Sequence, residues 1–106
     1  MFAVKPVIVD AAGEFIVANG RRLTLLCRVR AGSPSPMVTW YINGSLATDS
    51  PRSPLIDRVA RMLIIRSTTD KDSGRYTCVA TNTAGSDVMH FDVHVIGLCH
   101  VSYARK

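Results

Sequence analysis

Apolar and polar residues alternate along most of this chain with a period of two, the spacing of strands that lie on a core. No stretch carries the longer period of a helix. In Arg21 to Arg30, if Cys27 faces inward then so do Leu23, Leu25 and Val29, and Arg22, Thr24, Leu26, Arg28 and Arg30 face out. Met37 to Ile42 sorts Val38, Trp40 and Ile42 from Thr39 and Tyr41. Gly74 to Thr81 gathers Tyr76, Cys78 and Ala80 on one side, and Ser86 to Val95 gathers Met89, Phe91, Val93 and Val95. Shorter strands are expected at Pro6 to Asp10, Glu14 to Val17, Leu55 to Val59 and Arg61 to Arg66. Pro6 suits the start of an edge strand, where a missing amide leaves no ladder bond unmade. Ala18-Asn19-Gly20, Gly32 to Pro36, Asn43-Gly44 and Asn82 to Gly85 read as turns, the Asn-Gly pairs offering the positive φ of tight hairpins. Ser45 to Pro54 has no periodicity and reads as a loop with at most a short edge strand. The pattern predicts an all-β, two-sheet antiparallel sandwich around one core.

One run carries more than alternation. Asp72-Ser73-Gly74-Arg75-Tyr76-Thr77-Cys78 follows Cys27 and Trp40 in a Cys, Trp, Cys order, with a tyrosine two residues before the second cysteine. In this the chain resembles the immunoglobulin superfamily. The Gly32-Ser33-Pro34-Ser35-Pro36 lead into the tryptophan strand, and the lack of room for an extra strand pair, resemble its intermediate, or I-set, branch. The resemblance implies a Greek-key sandwich over residues 1–97, with 98–106 as a C-terminal tail or linker. It implies a Cys27–Cys78 disulfide through the core, with Trp40 packed against the sulfurs and the Tyr76 hydroxyl bonded to backbone upstream. It also places Leu63 and Ile65 inward and gives Asp72 an arginine partner, for which Arg52, Arg58 and Arg61 compete. Gly74 completes the core signature. A bridge closing so long a loop is worth about 4 kcal/mol on chain-entropy grounds.

Size and charge narrow the classes. With 106 residues and 47% hydrophobic content the chain suffices for one domain core and not for two. No apolar run approaches the roughly 18 residues of a membrane span. The opening Met1 to Pro6 is too short for a signal peptide, which leaves a piece of a larger precursor or an intracellular protein. A formal charge of +5 favours acidic partners, sulfated glycans among them, although an ordinary basic surface accounts for it equally. If Cys27 and Cys78 pair, Cys99 is an unpaired thiol in the tail, open to an intermolecular bridge.

Three features invite a chemical reading. Asn43-Gly44-Ser45 is an N-x-S sequon, an N-glycosylation site in a secreted chain and otherwise only a turn. His90, Asp92 and His94 share one face of a strand, but the adjacent outward residues, Arg75, Thr77 and Val79, supply no further metal ligand, so the stripe reads as a solvated face. With Leu63 and Ile65 inward, Leu26, Met62 and Ile64 face outward amid Arg28, Arg30 and Arg66, the apolar centre and cationic rim of a protein contact face. No nucleophile and base are placed together, and no phosphate loop or basic-aromatic stripe is present, so neither catalysis, a cofactor nor nucleic acid is expected.

The expected function is that of a non-catalytic protein-binding or adhesion module from an extracellular or cell-surface multidomain protein: a receptor ectodomain, cell-adhesion or matrix protein. Its partners would be neighbouring Ig-like domains, homophilic or heterophilic, with weak binding of acidic glycans. The alternative is an intracellular, force-bearing Ig domain of a giant sarcomeric or cytoskeletal protein, its cysteines kept as buried thiols.

Overall fold

Inward positions from nine strands meet in one buried layer. The computed structural model describes residues 2–9, 13–48 and 54–97. In chain order the strands are β1 (Val4–Ile8), β2 (Gly13–Ala18), β3 (Leu23–Leu26), β4 (Val29–Ser33), β5 (Met37–Ile42), β6 (Ser45–Leu46), β7 (Leu55–Asp57), β8 (Met62–Ile65), β9 (Gly74–Asn82) and β10 (Gly85–Ile96). A 3-10 turn, Asp70–Asp72, lies between β8 and β9. The larger sheet has the order β2-β10-β9-β5-β6, and the other layer is made of β3-β8-β7 and β1-β4.

The run expected as one strand, Arg21 to Arg30, is divided because it changes partner. β3 pairs with β8, and β4 pairs with β1. Cys27 N–H donates to Arg61 O at 2.9 Å and Val9 N–H to Arg28 O at 2.8 Å, so the extended chain carries on between the two ladders. Pro6 is not the start of its strand. It is buried within β1, where the register with β4 shifts between Val4 and Val7, and that irregularity absorbs its missing donor.

A second correction concerns direction. β2 lies parallel to β10, with Gly13 opposite Phe91 and Ala18 opposite Ile96, whereas every other pair is antiparallel. A parallel pair needs a crossover connection, and β2 and β10 are separated by seven intervening strands. Asn19-Gly20 therefore turns the chain across to the other sheet. Gly20, at φ +88°, donates its N–H to Thr68 O, and Asn19 N–H reaches Ile96 O.

The core follows the alternation. Leu23, Leu25, Cys27, Trp40, Leu63, Ile65, Tyr76, Cys78, Ala80, Phe91 and Val93 are buried, with Val29, Val38, Ile42, Met89 and Val95 packed against them. Cys27 and Cys78 form a disulfide with Cα atoms 6.2 Å apart. Trp40 stands opposite Cys78 across the β5/β9 pair, and its ring centroid lies 5.8 Å from that of Phe91. The Trp40 indole N–H has no hydrogen-bond partner among the described residues. Thr68, unremarked in the sequence, is fully buried, its hydroxyl within 2.9 Å of Arg21 O and 3.2 Å of Ala18 O. It fastens the β2–β3 crossing to the segment after β8.

At the foot of β9 the Tyr76 hydroxyl donates to Asp72 O at 2.7 Å. The Asp72 side chain has a local partner: its Oδ2 accepts from Thr69 N–H at 2.8 Å, a bond that closes the 3-10 turn. Arg61 is engaged elsewhere, donating to Pro36 O at 3.1 Å, and Arg52 lies outside the described residues. Among the described residues no arginine reaches Asp72.

Burial, followed by the nearby Asp72 charge, raises the Tyr76 pKa from 10.0 to about 12. A folded value above the unfolded one means that the protonated phenol stabilises the fold fully below pH 10.0, and that this contribution is lost as pH climbs towards about 12. Tyr76→Phe should cost roughly 1–2 kcal/mol at neutral pH, the cost of an orphaned Asp72 carbonyl and a lost bond. It should also flatten the alkaline fall in stability. Denaturant melts across the alkaline range check both effects.

Candidate functional site

Cross-strand pairing decides which outward side chains become neighbours. On the β3-β8-β7 face, Thr24, Ile64 and Leu55 form one row and Leu26, Met62 and Asp57 the next. Leu26 is 37% exposed, and Ile64 and Met62 are half-buried. Arg28, Arg30 and Arg66 are exposed. The sequence reading missed Leu55, which extends the apolar row across β7. Its position facing Ile64 depends on a register that alternation within one strand does not reveal.

On the opposite face, β10 presents His90, Asp92 and His94 as the alternation requires. Each meets a polar neighbour. His90 Nδ1 lies 2.9 Å from Thr77 Oγ1, Arg75 Nε donates to Asp92 Oδ1 at 2.9 Å, and His94 Nε2 stands 3.7 Å from Glu14 Oε2. The Arg75 hydrogen bond holds the Asp92 carboxyl below its ordinary value, and Asp92 in turn raises Arg75. Glu14 belongs to this group because β2 flanks β10 in parallel, a neighbour that motif spacing gave no sign of. Among the described residues no three ligand-type side chains converge on a metal position.

The sequon asparagine sits in a third place. Asn43 occupies the turn after β5 at φ +50°, a left-handed conformation that asparagine tolerates. Its N–H donates to Arg75 O at 2.8 Å and its Oδ1 accepts from Arg75 N–H at 3.0 Å. Gly74, at φ +150°, gives the amide its space: a Cβ there would lie 2.5 Å from Asn43 Oδ1. The glycine of the Asp-x-Gly-x-Tyr-x-Cys run is thus explained by the side chain it admits. Cys99 lies outside the described residues.

The immunoglobulin domain family model matches residues 5–82. The chain is similar to Leucine-rich repeat and fibronectin type-III domain-containing protein 5 of Mus musculus, 37% identical over 97 residues, 91% of this chain and 13% of that protein. It is also similar to Hemicentin-1 of Mus musculus, 46% identical over 85 residues, 80% of this chain and 1% of that protein. Among solved structures, a chimeric titin Z1Z2 superposes with a TM-score of 0.80 at 28% identity, covering 91% of this chain and 99% of that one. The chain therefore spans only a small part of the curated relatives it matches.

Two substitutions check the Asn43 bracket. Gly74→Ala forces a methyl against the amide at a positive φ and should cost about 1–3 kcal/mol. Asn43→Ala loses the bond to Arg75 and strains its own φ, and should cost about 1–2 kcal/mol. Combined, they should cost less than the sum, since the methyl then meets no amide; thermal melts of the double-mutant cycle measure the difference.

Proposed function

This chain belongs to the immunoglobulin superfamily, and from that premise we propose that it is a protein-binding or adhesion module of a larger extracellular or cell-surface protein, such as a receptor ectodomain, an adhesion molecule or a matrix protein. It is a non-catalytic domain. The observation that carries the extracellular reading is the Cys27–Cys78 disulfide, a bond that persists in oxidising compartments and is rare in the cytosol. Asn43 is compatible with it, because a glycan attaches at Nδ2 and leaves Oδ1 to hold Arg75. The contact face on this reading is the patch of Leu26, Met62 and Ile64 within Arg28, Arg30 and Arg66, an apolar centre with a cationic rim. Its partner is a neighbouring or opposing Ig-like domain.

A second reading has a specific likeness in its favour. The titin superposition supports an intracellular, force-bearing domain of a sarcomeric or cytoskeletal protein. There Cys27 and Cys78 would serve as buried thiols and Asn43 as a turn residue alone.

Two experiments divide these readings. Non-reducing peptide mass spectrometry of the protein from its natural source should find Cys27 joined to Cys78 and a glycan on Asn43. Free thiols with a bare Asn43 would establish the second reading. Sizing the domain over a range of concentrations should show association that survives reductant and is abolished by Leu26→Glu with Ile64→Glu. Dimers that vanish in reductant would instead point to Cys99.

A further inference from the structure

Among the described residues, part of one edge of the larger sheet is bare. β6 has only two residues, Ser45–Leu46, and the last bond on its side runs from Ala47 N–H to Trp40 O at 2.9 Å. On the other side of β5, Asn43 N–H donates to Arg75 O of β9 at 2.8 Å. Bonding direction alternates along a strand, so odd-numbered residues of β5 bond towards β9 and even-numbered ones face the free edge. The peptide N–H and C=O of Val38 thus point outward where no strand among the described residues reaches them. Pro36 O faces the same way, and the Arg61 guanidinium donates to it at 3.1 Å.

This edge forms one wall of a groove of about 490 Å³. Pro36, Met37 and Val38 line the β5 side, and Arg58, Val59 and Arg61, from the turn between β7 and β8, line the other. Met37 and Val59 are 68% and 95% exposed, so the lips are apolar and open to solvent. A second cavity of about 240 Å³ shares Val38 and Arg58 and continues the groove past Trp40 towards Leu46. Among the described residues no carboxylate lines either cavity. The nearest acid in the turn, Asp57, already accepts the N–H groups of Val59 and Ala60 at 3.0 and 2.9 Å.

We propose that this groove binds an extended, acidic peptide segment of a partner protein, which adds as a strand along β5. An outward peptide group offers a ladder bond, apolar lips take alternate side chains of a strand, and two arginines select carboxylates on the other set. Arg61 contributes twice. A carboxylate that draws its guanidinium off Pro36 O also frees that carbonyl to accept from the incoming strand. The net charge of +5 favours the same sign of partner. This is a different surface from the Leu26 face and does not rest on it.

The test is an NMR titration of the ¹⁵N-labelled chain with a short soluble peptide that alternates glutamate with valine or threonine, beside a counterpart with lysine for glutamate. The acidic peptide should shift the amides of Met37, Val38, Thr39 and Val59 saturably, and the lysine peptide should bind at least about tenfold more weakly. Arg58→Glu, at an exposed position outside the core, should weaken the acidic peptide by a similar factor. Leu26→Glu with Ile64→Glu should leave it unchanged, whatever becomes of the other face. Equal binding of both peptides, shifts that map away from β5, no saturable shift, or indifference to Arg58→Glu would each overturn the proposal.

Discussion

The rest of this fold follows from the meeting of Cys27 and Cys78 in the core, which fixes inside and outside for both layers at once. Once these two side chains must meet, period two leaves no freedom: a slip of one residue in either strand would turn every apolar side chain to water. Trp40 and Phe91 then fill the space beside the link, and Tyr76 ties the start of its own strand to the turn before it. The surface is derived from the same rule. The histidines of β10 and the apolar row on β8 are outward because their neighbours are inward.

Alternation within a strand was therefore legible in the sequence, and alternation is what places the core. Cys27, Trp40, Tyr76, Cys78, Phe91 and Val93 could be assigned from parity and one motif, and all are buried. Relations between strands were not legible. The parallel lie of β2, and with it the meeting of Glu14 and His94, depends on which strand ends up beside β10. Leu55 joins the row of Ile64 through a register that no periodicity encodes. Asp72 shows a different limit: the motif pointed to a long-range partner and gave no sign of the backbone amide three residues away that the carboxylate also holds. Thr68 escaped notice because a buried hydroxyl looks, in sequence, like any loop threonine.

Asn43 and Gly74 show how structural and functional demands share residues. The asparagine is placed by its φ and by two bonds to Arg75, and the glycine by the room that the asparagine needs. A sequon in that turn is consistent with either compartment, so motif and backbone geometry have to be read together. The candidate surfaces obey the same logic. The groove beside β5 exists because β6 is short, and β6 is short because the chain there has no alternation to sustain a strand.

The parallel pair has a mechanical corollary. β1 begins beside the β9–β10 hairpin, where Asn82 Nδ2 donates to Val4 O at 2.7 Å, while β10 ends at the opposite pole, level with Ala18. Successive copies joined through these strands would thread pole to pole along one line. Tension along that line would slide β2 against β10 lengthwise, so that the bonds of their six paired positions share the strain together instead of parting one after another.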